Sequence, residues 1–196
     1  MISGLILAAG ESRRMGEVKP LLRINGLTFL QHIEQALRGA GIEEIIAVIG
    51  HQAARIQNES GANVRFVDNP NYQLGQLSSL QTGIRAVGNA EAVIVCLVDQ
   101  PHVQRAWIEQ LITAFREAHP LIVRPCCKGR CGHPVLYAAE LFAEFLNLPL
   151  TETAKAVFRR HGERTRLVEI DSEGILFDAD TPEDLQAVRR FFDKTE

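Results

Sequence analysis

Five short, mostly apolar runs recur along the chain, covering residues 3–9, 43–50, 63–68, 91–98 and 120–125. They are rich in valine and isoleucine and lack the alternation of a half-exposed strand, so they suit strands buried on both faces of a parallel sheet. Helix-length stretches separate them. In 28–40, Phe29, Ile33, Ala36, Leu37 and Ala40 share one helical face, and Gly39 and Gly41 supply the stop. In 102–118, Trp107, Leu111, Ile112 and Phe115 recur at helical spacing, and 78–87 carries a weaker version of the pattern. The alternation predicts an α/β fold: a doubly wound, Rossmann-like, mostly parallel sheet in three α/β/α layers.

Beyond Pro125 the pattern loosens. Residues 126–132 read as a turn, 134–137 as a strand, 138–147 and 151–161 as helices, and 165–170 and 174–178 as strands. A last helix over 181–192 is well marked, with Thr181 to cap it, Pro182 at its first position and Asp184 in its first turn. The 196 residues contain no repeat or long linker, so a single domain spanning 1–196 is expected.

A formal charge of −3 gives no electrostatic footprint for a nucleic-acid partner. No apolar run approaches the length of a membrane span, and the first residues read as a strand rather than a signal peptide, so a cytoplasmic protein is expected. Of the four cysteines, Cys126, Cys127 and Cys131 cluster, but without the paired spacing of a zinc site. Reduced, uninvolved thiols are the expectation for a cytosolic chain.

In parallel sheets ligands sit at the carboxyl ends of the strands, which directs attention to the loops after residues 9, 50, 68, 98 and 178. The first, Leu7-Ala8-Ala9-Gly10-Glu11-Ser12-Arg13-Arg14-Met15-Gly16-Glu17-Val18-Lys19-Pro20-Leu21, combines glycines that bring amides close to an anion with three cations, Arg13, Arg14 and Lys19. It fits neither the Walker pattern nor the dinucleotide fingerprint. Its chemistry is that of a triphosphate site, with small residues at Ala8 and Ala9 to admit a flat base.

This segment resembles the L-A-A-G-x-S-x-R-M-G-x-x-K-x-L signature of the MobA-like nucleotidyltransferases. Its Ala-Ala-Gly form is similar to the molybdenum-cofactor cytidylyltransferase branch, which uses CTP; an Ala-Gly-Gly form marks the guanylyltransferases. The resemblance implies nucleotide contacts from Leu7, Ala8, Ala9, Gly10, Ser12, Arg13 and Lys19, with Arg13 and Lys19 also cradling the phosphates. Asn69-Pro70-Asn71-Tyr72, followed by Ser78-Ser79-Leu80, resembles a second family segment that helps hold the nucleotide, implying roles for Asn69, Ser78 and Ser79. As bare residues, these hydroxyls could equally cap a helix.

Val98-Asp99-Gln100-Pro101 closes the most hydrophobic strand, where a carboxylate is costly to desolvate without a partner. It resembles the family's metal-binding motif. Asp178-Ala179-Asp180-Thr181-Pro182 resembles the family's closing motif, whose Asp before Thr-Pro completes the metal site. Asp99 with Asp180 is a sufficient pair for Mg²⁺, with Asp178 in reserve and Asp184 assigned to the helix dipole. Gly132-His133-Pro134 matches a branch motif that implies an acceptor-side His133, though a structural histidine is as good a reading. One departure stands out: Leu150-Thr151-Glu152-Thr153-Ala154-Lys155 occupies the place of the branch's G-D-x-G-A-R-like acceptor segment.

The resemblance therefore implies a nucleotide-binding half (1–125), an acceptor-side and metal-completing part (126–196), and Mg²⁺-dependent transfer of CMP from CTP to a molybdopterin-type acceptor with release of pyrophosphate. Arg13, Lys19 and Asp99 are the expected catalytic residues. Alternatives are a GTP-using guanylyltransferase, a sugar- or alcohol-phosphate nucleotidyltransferase, and a cofactor carrier that docks on a client molybdoenzyme without turnover.

Overall fold

The computed structural model describes residues 1–12 and 15–193. In chain order the elements are β1 (Ile2–Leu7), β2 (Arg23–Ile24), β3 (Leu27–Thr28), α1 (Phe29–Gly39), β4 (Ile45–Ile49), α2 (Ala53–Glu59), β5 (Arg65–Asp68), α3 (Gln76–Ala86) and β6 (Ala92–Leu97). They continue with α4 (Arg105–Ala118), β7 (Ile122–Cys127), β8 (Arg130–Cys131), β9 (Val135–Ala138), α5 (Phe142–Asn147), α6 (Lys155–Arg160), β10 (Thr165–Glu169) and α7 (Pro182–Asp193).

The main sheet runs β10-β7-β9-β6-β1-β4-β5, with β8 paired to β7. All pairings among β6, β1, β4 and β5 are parallel, as is β7 with β10; β9 lies antiparallel between β6 and β7. The apolar runs thus form the expected parallel sheet. The chain moves from β1 outward to β4 and β5, then returns to place β6 on the other side of β1. That reversal leaves a crevice beyond the carboxyl ends of β1 and β6.

Helices cover both faces, and two neighbouring residues of β1 show it. A Cβ on Gly4 would meet the Leu37 side chain of α1 at 3.0 Å, whereas Leu5 packs so tightly against α3 that a Cβ on Gly83 would meet its Cδ1 at 2.3 Å. Successive residues of a strand point to opposite faces, so α1 and α3 lie on opposite sides of the sheet. The helix α4 joins α1 on its side, and α5 joins α3.

Three expectations need correction. Residues 174–178 do not form a strand: Glu173–Leu176 is a 3-10 turn capped by Ser172, whose hydroxyl accepts from Gly174 N, and its Ile175 carbonyl accepts from His133 N rather than from a sheet neighbour. The helix expected over 151–161 is confined to α6. The cysteines are not all free thiols, because Cys126 and Cys131 form a disulfide. The cause is turn chemistry: Lys128 and Gly129 both adopt positive φ, which closes a tight hairpin and sets Cys126 directly opposite Cys131. Cys96 and Cys127 are buried free thiols. Among the described residues, no helix is long and apolar enough to cross a membrane.

Candidate active site

The loop after β1 leaves the sheet with Ala8 and Ala9 buried and hydrogen-bonded to the β4 side, Ala8 N donating to Val48 O and Ala9 O accepting from His51 N. Gly10 and Ser12 then face the crevice, with Leu7 and Ala9 on its inner wall. Ser12 sits at positive φ and its hydroxyl accepts from Lys19 N at 3.4 Å, turning the chain back. Arg13 and Arg14 lie outside the described residues. A 3-10 turn over Lys19–Leu21, begun by Pro20, buries the stem of Lys19 so that only 7% of the residue is exposed.

The Lys19 ammonium emerges between two carboxylates. Its Nζ is 2.5 Å from Asp180 Oδ1 and 3.8 Å from Asp99 Oδ2. Asp99 arrives from the end of β6, and Asp180 from the segment before α7. A backbone bond ties these two segments together, Ala179 N donating to Asp99 O at 2.8 Å. Gln100 Nε2 donates to Asp178 Oδ1 at 2.9 Å, and Gly174 O lies 2.8 Å from His102 Nε2. Asp178 is thereby engaged by Gln100, and Asp180 is the carboxylate presented to Lys19. Thr181 caps α7 as expected, its Oγ1 accepting from Asp184 N, and Asp184, expected to serve the helix dipole, reaches back so that its Oδ2 accepts from Thr181 N, Thr181 Oγ1 and Asp180 N.

Burial, and then repulsion from Asp178 and Asp180, push the Asp99 carboxyl up to about 6, with Lys19 opposing them. Its Oδ1 is buried without a hydrogen-bond partner. The donor set fits a hard divalent cation: two carboxylates, one with an orphaned oxygen, beside the first loop, since Mg²⁺ takes one or two carboxylates and completes its shell with phosphate and water. Among the described residues no cluster of three ligating side chains exists, so protein groups alone do not make a cage.

Asn69, Ser78 and Ser79 form one knot. The Asn69 amide donates to Ser78 Oγ at 2.9 Å and Ser79 Oγ at 3.1 Å, its Oδ1 accepts from Asn71 N, and all three residues are buried. Ser79 lines the crevice; Asn69 and Ser78 shape the turn that presents Tyr72 and Gly75 to it. Gly75, at φ +102, starts α3 without a side-chain cap.

Asp99 lies where two basins meet. One, bordered by Gly10, Ser12, Lys19, Tyr72 and Gly75, belongs to the first loop. The other, about 1050 Å³, reaches across β6 and β9 to α6 and holds His133 in its wall. The His133 ring is kept below its ordinary pKa by burial, against a hydrogen bond to the Val95 backbone, and its Nδ1 has no partner. The sequence reading missed Arg124, Tyr137 and Phe158 in this second basin, although an arginine inside the apolar run 120–125 was a visible signal.

A glycine-containing loop and a lysine-linked carboxylate pair at the switch point of a parallel sheet suit a nucleotidyltransferase. The comparison with known sequences makes that class specific. Residues 4–165 match the MobA-like NTP transferase domain, and the chain belongs to that family. It is 29% identical over 191 residues to a molybdenum cofactor cytidylyltransferase of Escherichia coli strain K12, covering 93% of each. It is 34% identical over 125 residues to a probable molybdenum cofactor guanylyltransferase of Opitutus terrae, which covers 63% of this chain but spans only 60% of that protein. Among solved structures, a nucleotidyl transferase from Methanothermobacter thermautotroptrophicus superposes with a TM-score of 0.85 at 26% identity, covering 100% of this chain and 99% of the other. Rv0371C of Mycobacterium tuberculosis H37Rv, in complex with manganese, superposes at 0.76 with 25% identity, covering 96% and 98%.

Proposed function

We propose that this nucleotidyltransferase moves CMP from CTP to the phosphate of a molybdopterin-type acceptor and releases pyrophosphate. The observation that carries the reading is the position of Lys19 between Asp99 and Asp180, at the junction of the first-loop basin and the larger second one. A phosphate acceptor is anionic near neutral pH, so the reaction calls for alignment and charge neutralisation rather than a general base.

In this reading the first loop binds the triphosphate, and Lys19 neutralises charge on the departing pyrophosphate. The tie between Asp99 and Ala179 keeps both carboxylates on the same side of the crevice. Asp99 and Asp180 would hold Mg²⁺ or Mn²⁺, which supplies Lewis-acid polarisation of phosphate oxygens when bound. The manganese complex of the mycobacterial relative supports a divalent ion in this family.

The Ala8-Ala9-Gly10 form and the full-length likeness to the E. coli cytidylyltransferase favour CTP. The Opitutus likeness to a guanylyltransferase is the ground for testing GTP beside it. The test is pyrophosphate release from purified protein given molybdopterin, Mg²⁺, and CTP or GTP in parallel. Release with CTP at least tenfold faster than with GTP is expected. Preference for GTP overturns the base assignment, and release with neither, under conditions where the protein is folded, overturns the reaction.

A further inference from the structure

The second basin contains a charge that has no ion pair among the described residues. Arg124 sits in the middle of β7, a strand paired on both sides by β9 and β10 and otherwise made of apolar residues, proline and cysteine. Its guanidinium carbon lies 4.3 Å from the centre of the Phe158 ring of α6. Among the described residues it has no ion pair and no hydrogen-bond partner, and its Nε is fully enclosed. Burial holds it below the ordinary arginine range, with the Tyr137 side chain opposing that effect. A half-buried charge without a partner is unfavourable, and a guanidinium offers five donors in a fixed plane. Asp99, Asp178 and Glu152 line the same basin, yet none pairs with it. Arg130, Lys155 and Arg159 add further positive charge to its wall.

We infer that Arg124 is the anion anchor of the second basin, holding a phosphate-bearing ring compound with its anionic group against the guanidinium and its ring along the Phe158 and Tyr137 wall. This rests on the nucleotidyl-transfer reading only for the identity of that compound as the acceptor. The π face of Phe158 fixes the guanidinium plane, which favours a planar or tetrahedral oxyanion that takes two parallel hydrogen bonds. His133, whose Nδ1 has no partner, stands in the same wall. Lysine at position 124 would keep the charge but lose the fork and the stacking.

The test uses phenyl phosphate as probe, titrated by calorimetry into the full chain. A Lys19→Met background removes the competing cation of the first basin. In that background, adding Arg124→Met is expected to weaken phenyl phosphate binding at least tenfold, and adding Arg124→Lys about threefold, with circular dichroism unchanged. Unchanged binding in folded Arg124→Met protein, or no binding to the background protein, overturns the inference. With Lys19 intact, Arg124→Met should raise the KM for the acceptor at least tenfold and leave the KM for CTP within about twofold. If wild-type protein releases no pyrophosphate with molybdopterin while phenyl phosphate binding still depends on Arg124, the proposed reaction fails and the anion anchor stands.

Discussion

Lys19 and Asp180 are 161 positions apart in the chain, and their charged groups meet at 2.5 Å. Asp99 completes the cluster from a third segment, with its carboxyl displaced toward neutrality by burial and by two acidic neighbours. The crowding of Asp99 by Asp178 and Asp180 works against folding, and Lys19 offsets only part of it.

The crowding gives opposite signs for stability and turnover. Asp99→Asn removes a desolvated, repelled charge, so the protein without ligands should melt at a higher temperature than wild type while turnover drops by about two orders of magnitude or more. Lys19→Met should lose turnover on the same scale. Differential scanning calorimetry beside a pyrophosphate-release assay checks both, and near-normal turnover in either variant would retire the assigned roles.

Asp184 acts on the site at one remove. Its carboxylate accepts from the backbone of Asp180 and Thr181 and closes the cap of α7. Asp184→Ala is expected to destabilise the fold by about 1 kcal/mol and to lower kcat about tenfold, a smaller loss than Asp180→Asn produces. Equal kcat in wild type and Asp184→Ala would show that the cap does not position Asp180.

The hairpin disulfide makes a simple chemical statement. Of the four cysteines, Cys96 and Cys127 alone should titrate with a thiol reagent in denatured, unreduced protein, and all four after reduction. Four reactive thiols without reductant would restore the expectation drawn from cysteine spacing and a cytosolic setting.

Glu144 ties α5 to the end of α6, accepting from Arg160 Nη1 at 2.8 Å, with His161 Nε2 at 2.6 Å from its other oxygen. Burial pushes its carboxyl up, but these partners outweigh that and hold it below the ordinary 4.5. A depressed carboxylate contributes stability above its unfolded pKa and loses it as pH falls through the folded one. Glu144→Gln should therefore cost roughly 0.5–1 kcal/mol near neutral pH, with the gap to wild type closing below about pH 4 in urea melts. A gap that persists unchanged in acid would assign the effect to packing.

The parallel sheet was readable because burial on both faces writes a run of β-branched residues: β4 and β6 fall inside such runs, and β1 and β7 overlap theirs. The helix at 28–40 was readable because its apolar stripe ends at Gly41, which adopts φ +81. What escaped was set by backbone geometry or tertiary contact. The α2 helix is short and starts from Gln52 in a left-handed conformation, without a capping side chain. Ile175 looked like strand because it is apolar, yet it lies buried in a 3-10 turn, and its carbonyl accepts from the His133 amide and from no sheet partner. Lys19, Asp99 and Asp180 could be nominated from separate motifs, and the structure brings them together. Asn69 and Ser78 were nominated as nucleotide contacts, and the structure places them in the knot beneath the crevice. Arg124 was passed over because a sequence does not say which charge inside a strand lacks a counter-ion.

The bond from Ala179 to Asp99 has a consequence for synthesis. During vectorial emergence from a ribosome, the phosphate loop and all strands through β6 become available to fold long before residues 174–180 leave the exit tunnel. A growing polypeptide can thus assemble the first loop on its sheet early, and the partner carboxylate of Lys19, Asp180, joins it only after about 80 further residues beyond β6 have followed.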